Sequence, residues 1–278
     1  MSRIEKAMEK AAQMRNGAVT TPAETRQQQY DVPAHIPPQP EFVKEKIVSN
    51  NPYLVNLNDP YSPIGEEFRK LKSSLVQLTK GEKFKNTIMV TSAVPHEGKS
   101  ITALNLAISL AEEYDHTVLL IDSDLRRPSV HSYLNMEQRQ GFAECLLGEA
   151  DLADTIIATG IGKLSVITSG REIPNPVEMF NSQKMKALIT ELKHRYSDRY
   201  IIFDTPPVLP FAETRTLAHL VDGVLFVVKE RLASKKDIND ALEELKGCEM
   251  LGLIYNDTIP EQNDERYSSY SGYAGYKR

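Results

Sequence analysis

The stretch Ala93-Val94-Pro95-His96-Glu97-Gly98-Lys99-Ser100 constrains this chain more than any other. A short apolar, β-branched run at residues 87–93 precedes it. A helical pattern at 100–113 follows, with Ile101, Leu104, Ala107, Ile108 and Ala111 on one face. A glycine-bearing loop between a strand and a helix start offers backbone N–H groups, and the positive end of a helix dipole, to an anion. Pro95, His96, Glu97, Gly98, Lys99, Ser100 and Ile101 are therefore expected to surround the phosphates of ATP. Gly98 lets the backbone come close, Lys99 carries a full positive charge, and the Ser100 hydroxyl suits Mg²⁺. His96 and Glu97 read as solvated loop residues with no part in the chemistry. Ala93 stands where the general pattern has glycine.

Around this unit, strands and helices alternate. Residues 117–122, 164–168, 200–204, 223–229 and 251–255 read as strands, and residues 183–196, 212–220 and 235–246 as helices. A helix at 63–78 sets Ile64, Phe68, Leu71 and Leu75 on one face. Apolar strands alternating with amphipathic helices predict an α/β fold, a mostly parallel sheet with helices on both faces. The 278 residues suit one such domain, placed at 58–258, plus extensions. Residues 1–15 read as an amphipathic helix carrying Ile4, Ala7, Met8 and Ala11. Residues 16–57, with Pro22, Pro33, Pro37, Pro38 and Pro40, read as a flexible linker, and 259–278 as a disordered tail.

Composition excludes several classes. A net charge of −5 leaves no basic stripe to displace counterions from a nucleic-acid backbone, so no such partner is expected. Cys145 and Cys248 have no metal-ligand or paired spacing and read as buried small hydrophobes in a reducing compartment. No apolar leader opens the chain, and no run approaches the roughly 20 apolar residues of a membrane helix. The expectation is a cytoplasmic protein that reaches a membrane through a partner.

Two further strands end in acids. Residues 118–124 read Val-Leu-Leu-Ile-Asp-Ser-Asp, ending in Asp122 and Asp124, and residues 201–207 read Ile-Ile-Phe-Asp-Thr-Pro-Pro, with Asp204. Ligands of open parallel sheets bind beyond the carboxyl ends of the strands, so these acids should converge on the phosphate loop. Ser100, Asp124 and Asp204 suit Mg²⁺ directly or through water, which leaves Asp122 as a candidate base.

Together these residues resemble the bacterial tyrosine kinases (BY-kinases) of polysaccharide export and chain-length control, which use a P-loop NTPase fold. Residues 119–128, Leu-Leu-Ile-Asp-Ser-Asp-Leu-Arg-Arg-Pro, look like the family's second Walker motif, A′, and Asp204 falls in the Walker B match. The form Ala-x-Pro-x-Glu-Gly-Lys-Ser is also familial, as is the Asn175-Pro176 segment. The resemblance implies Lys99, Asp122, Asp124 and Asp204 as catalytic residues, with Asp122 the base, and Arg126 or Arg127 either on the transferred phosphoryl group or paired with carboxylates. It further implies ring assembly through Glu66, Arg69 and Lys72, where lysine replaces the family's second arginine and loses its planar fork. Its implied partners are a membrane-embedded polysaccharide co-polymerase that activates the kinase at the inner face of the membrane, and a tyrosine phosphatase. The opening Met-Ser-Arg-Ile-Glu-Lys-Ala is similar to kinases of exosortase-linked exopolysaccharide systems.

The tail fits the same reading. Tyr267, Tyr270, Tyr273 and Tyr276 recur every three residues among Ser, Gly and Ala, a composition that cannot bury aromatics. They are the expected autophosphorylation sites. About 20 residues span at most roughly 66 Å, enough to enter a neighbouring copy's site. A partition or site-selection ATPase shares the fold, but carries a second lysine where this chain has Val94 and lacks a tyrosine-rich tail. A catalytically idle nucleotide sensor would be expected to lack one of the metal carboxylates.

Overall fold

Period-two burial builds the sheet. The computed structural model describes residues 47–195 and 198–258. Among them, seven strands form one sheet: β1 (Thr87–Ser92), β2 (Thr117–Asp122), β3 (Ile157–Ala158), β4 (Leu164–Ile167), β5 (Arg199–Asp204), β6 (Gly223–Lys229) and β7 (Met250–Asn256). Their order is β3-β4-β2-β5-β1-β6-β7, parallel throughout except for β3 against β4. Met89, Leu119, Ile121, Ile201, Phe203 and Phe226 pack into one core cluster, while their strand neighbours Ile88, Val90, Leu120, Ile202, Leu225 and Val227 pack into the other. Successive side chains of a strand point to opposite faces, so the sheet is buried on both. Fully burying one such side chain contributes about 1.5–3 kcal/mol, which makes the central strands a rigid platform.

Helix Lys99–Ala111 packs on the face of Ile88 and Leu120, together with Leu75 of helix Pro63–Thr79. Helices Gln183–Arg195 and Lys235–Glu244 cover the other face through Met185, Leu188 and Ala241. The predicted α/β architecture is therefore the observed one. Ser62 caps helix Pro63–Thr79 by accepting from Gly65 N–H, with Pro63 in its first turn. Its apolar stripe is narrower than expected, since Leu75 is buried but Ile64 is 58% exposed. Among the described residues, no helix is long and apolar enough to cross a membrane.

Several expectations change. Composition puts residues 47–57 in the linker, yet they pack on the domain. Leu54 is buried, Ile47 N–H donates to the Thr159 carbonyl at 3.1 Å, and Ser49 Oγ donates to the Tyr133 carbonyl at 2.6 Å. Asn56 N–H donates to Asn105 Oδ1 (3.0 Å) and Asn105 Nδ2 to the Tyr53 carbonyl (2.8 Å), which fixes this segment to helix Lys99–Ala111. Cys145 is buried as expected. Cys248 is half-buried, with Sγ 3.4 Å from His219 Nδ1, a neighbour that sequence spacing does not reveal. The helix expected at 1–15, most of the linker and the tail with its four tyrosines lie outside the described residues.

The register then sets the site. Asp204 pairs across to Asp122 on one side and to Val90 of β1 on the other. The carboxyl ends of β1, β2 and β5 are thus adjacent.

Candidate active site

The loop after β1 has the shape that phosphate binding needs. Gly98 adopts φ 86° and precedes the first turn of helix Lys99–Ala111, and His96 has φ 69°. Only glycine takes such a conformation without strain, and the free N–H groups of the first helical turn face outward from it. His96 is exposed, as expected. Glu97 is not a solvated loop residue. It is fully buried, with Oε2 accepting from Val94 N–H (2.9 Å) and Oε1 from Lys229 N–H (3.3 Å). The reason is polar satisfaction: these two N–H groups would otherwise be buried without a partner.

The acids occupy three different environments. Asp122 is fully buried, and its carboxylate accepts from Asp124 N–H (3.2 Å), Ser129 N–H (3.0 Å) and Val130 N–H (3.0 Å). Burial first, and the neighbouring Asp204 charge second, raise its pKa well above the ordinary carboxylate range. Asp124 accepts from Arg127 N–H (3.0 Å) and lies with Oδ2 3.9 Å from Lys99 Nζ. Burial raises its pKa, and Lys99 opposes that rise. Asp204 is also fully buried, but neither of its oxygens has a hydrogen-bond partner. Burial pushes its pKa up to about 6, against the pull of Lys99 and of the Ser100 hydroxyl. That hydroxyl is close enough to favour the charged form without meeting hydrogen-bond geometry.

Buried polar atoms without partners are rare, and each calls for an explanation. Two orphaned carboxylate oxygens beside a hydroxyl and a second acid are the donor set that Mg²⁺ takes alongside water and phosphate. Among the described residues, no three His, Cys, Asp or Glu side chains converge as an all-protein metal cage. The oxygen donors of the hydroxyl and the two acids fit such a cation. Ser100, Asp124 and Asp204 would hold it.

A cavity of about 470 Å³ opens above these groups, a size suited to a small ligand. Pro95, His96, Gly98, Lys99, Ser100 and Ile101 line it from the loop; Asp124, Arg127 and Tyr133 face it from β2 and the turn beyond. Asp122, Asp204 and Glu97 are buried and do not line it. Arg126 lines it beside Phe211 but is already engaged, donating from Nε to buried Glu213 Oε1 (2.5 Å) and from Nη1 to the Pro174 carbonyl, and it stacks 4.8 Å over the Phe211 ring. This makes Arg126 a structural partner of a carboxylate and ties the Pro174–Pro176 segment to the site. The exposed guanidinium of Arg127 pairs with no carboxylate among the described residues. Tyr133 and Phe211 carry no sequence signal, because only the fold brings them to the cavity.

The residues expected at an interface are engaged within one chain. Arg69 donates from Nε to Glu66 Oε2 (2.7 Å) and from Nη1 to the Pro60 carbonyl (2.7 Å). Lys72 Nζ lies 2.5 Å from Glu113 Oε1.

A family model described as an AAA domain matches residues 86–250. Tyrosine-protein kinase YwqD of Bacillus subtilis (strain 168) is 34% identical over 225 residues, covering 80% of this chain and 90% of YwqD. The chain belongs to the bacterial tyrosine kinase family. Among its relatives, the succinoglycan biosynthesis transport protein ExoP of Rhizobium meliloti (strain 1021) is 32% identical over 224 residues, which are 78% of this chain but 28% of ExoP. The solved kinase domain of Escherichia coli tyrosine kinase ETK matches with a TM-score of 0.71 and 29% identity, over 78% of this chain and 83% of that one.

Proposed function

We propose that this chain transfers the γ-phosphate of ATP, with Mg²⁺, to Tyr267, Tyr270, Tyr273 and Tyr276 of a neighbouring copy. The two unpartnered oxygens of buried Asp204, close to Lys99 and Ser100 of the cavity wall, are the observation that carries this reading. Relatives named as a tyrosine-protein kinase and as a succinoglycan biosynthesis transport protein support a role in regulating exopolysaccharide synthesis and export.

In this reading the loop amides and Lys99 hold the phosphates, and Arg127 faces the charge that develops on the transferred group. Bound Mg²⁺ would offset phosphate charge. A tyrosine hydroxyl has a pKa of about 10, so its proton must leave during attack. Asp122, with its raised pKa, is the base to test. Its three backbone N–H bonds leave one lone pair, on Oδ1, to accept that proton.

Mass spectrometry of the purified protein after incubation with ATP and Mg²⁺ tests the reading. We expect phosphotyrosine on the tail of wild type and none on Lys99→Ala alone. A size-tagged Lys99→Ala chain should gain phosphate when wild type is added, which marks transfer between copies. Steady ATP hydrolysis without any phosphotyrosine would overturn the proposal.

The same reading includes a ring of copies, a membrane-embedded co-polymerase as activator at the inner membrane face, and a phosphatase that resets the tail. Each phosphate adds about −1.5 to −2 charges, so phosphorylated tails repel and favour monomers. Light scattering should give a smaller mass for phosphorylated chains than for a tail Tyr→Phe variant. Equal masses across a concentration series would sink this coupling.

A further inference from the structure

Of residues 95–101, Glu97 alone does not line the cavity, although it sits at the centre of the loop. Its carboxylate turns inward to Val94 N–H and Lys229 N–H, and its backbone carbonyl accepts from Asn256 Nδ2 at 2.9 Å. Lys229 ends β6 and Asn256 ends β7. The two strand ends are themselves joined, as Glu230 N–H donates to the Asn256 carbonyl (3.0 Å) and Lys229 Nζ pairs with Asp257 (2.8 Å). A β-carbon on Gly98 would overlap the Asn256 side chain, so the glycine that permits phosphate approach also makes room for this grip.

We propose that Glu97 and Asn256 are positioning residues that clamp the phosphate loop in its anion-accepting shape. The loop needs such a clamp. It carries positive φ at both His96 and Gly98, and strained backbone persists only where its surroundings over-determine it. Two hydrogen bonds reach Glu97 from outside the loop, from Lys229 N–H and Asn256 Nδ2, and a third closes the loop on itself from Val94 N–H. The outer two come from the ends of two strands of the rigid sheet, so the loop is braced before nucleotide arrives, and less ordering remains to be done on binding. The inference rests on the nucleotide reading above and adds two side chains that do not line the cavity.

Two measurements separate the clamp from that reading. Hydrogen exchange of nucleotide-free protein reports the loop directly. In Asn256→Ala and in the near-isosteric Asn256→Asp, which lacks the donor, amides of residues 94 and 96–99 should exchange severalfold faster, while β1 amides keep wild-type rates. A titration with fluorescent ADP should then show a dissociation constant raised about 3–10-fold, the worth of one hydrogen bond. Glu97→Gln keeps one acceptor of two and should fall between wild type and Asn256→Ala. In steady-state kinetics KM for ATP should rise more than kcat falls, which general destabilisation would not produce. Wild-type exchange together with wild-type affinity in both Asn256 variants overturns the clamp. If wild type itself fails to bind ADP, the nucleotide reading falls, and loop exchange in the free protein still decides the clamp.

Discussion

The ends of β2 and β5 look alike in sequence, each a buried apolar strand closing on an aspartate, and they pair in register as Asp122 and Asp204. Their surroundings differ completely. Asp122 accepts three backbone N–H bonds and fixes the turn that starts helix Val130–Tyr133, whereas Asp204 accepts none. Two carboxylates with the same burial thus do opposite work. The one with three donors holds the chain, and the one without is, in the proposed reading, the ligand for Mg²⁺. Burial alone would not have told them apart; the count of donors does.

The sharpest way to break this contrast is substitution at Asp204. Asp204→Asn should lower tail phosphorylation at least ~100-fold, through loss of the Mg²⁺ ligand, and Lys99→Ala at least as much, through loss of the positive charge on the phosphates. Thermal stability of Asp204→Asn should match or exceed wild type, because an unpaired buried charge is removed. A clear loss of stability would mean that Asp204 has a structural partner, and the contrast would fail.

Asp122→Asn should do the reverse. An amide nitrogen cannot accept, so at least one backbone N–H is stranded, at about 1–3 kcal/mol by urea denaturation. Loss of transfer at unchanged stability would instead single out Asp122 as a base and remove its turn-anchoring role.

Acidity offers a gentler probe. The folded-state pKa of Asp204, about 6, lies above its ordinary value of 3.8. The folded chain therefore holds this proton more tightly, and the stability it confers is complete below about pH 4 and lost as pH rises through about 6. In metal-free protein, denaturation midpoints should fall over that window in wild type and stay flatter in Asp204→Asn. Parallel curves for the two would show that Asp204 ionises normally.

The smallest effect belongs to the pair of Lys72 with Glu113. An ion pair this near the surface is worth up to about 1 kcal/mol, so Lys72→Ala should barely change stability. Light scattering then sharpens the assignment: a lower oligomer mass would mark an interface residue, and an unchanged mass an intrachain one.

Much of this was legible in the sequence, for a physical reason. Parallel strands buried on both faces are continuous apolar runs, so the strand from Thr117 to Asp122 and the strand from Gly223 to Lys229 can be read to the residue. The phosphate loop and the three acids follow from local order. What escaped was either short or distant. A strand of two residues, Ile157–Ala158, and helices of four to six residues such as Val130–Tyr133 and Phe142–Leu147 show no full period. Glu97 departs from its expected exposure because two of its three partners lie 132 and 159 residues away, and Arg126 finds Glu213 across 87. Spacing along a chain carries no trace of such contacts.

The placement of Asn256 also sets an order of events during synthesis. The phosphate loop leaves the ribosome early, and the residue that grips it follows 159 positions after Glu97, roughly 8–30 s later at about 5–20 residues per second. For that interval the loop is made but not braced. Ribosome-stalled chains of increasing length should gain their full nucleotide affinity only once residue 256 has emerged. Every tail tyrosine lies beyond that point. A chain that can offer its tail as substrate has therefore already finished its own phosphate loop.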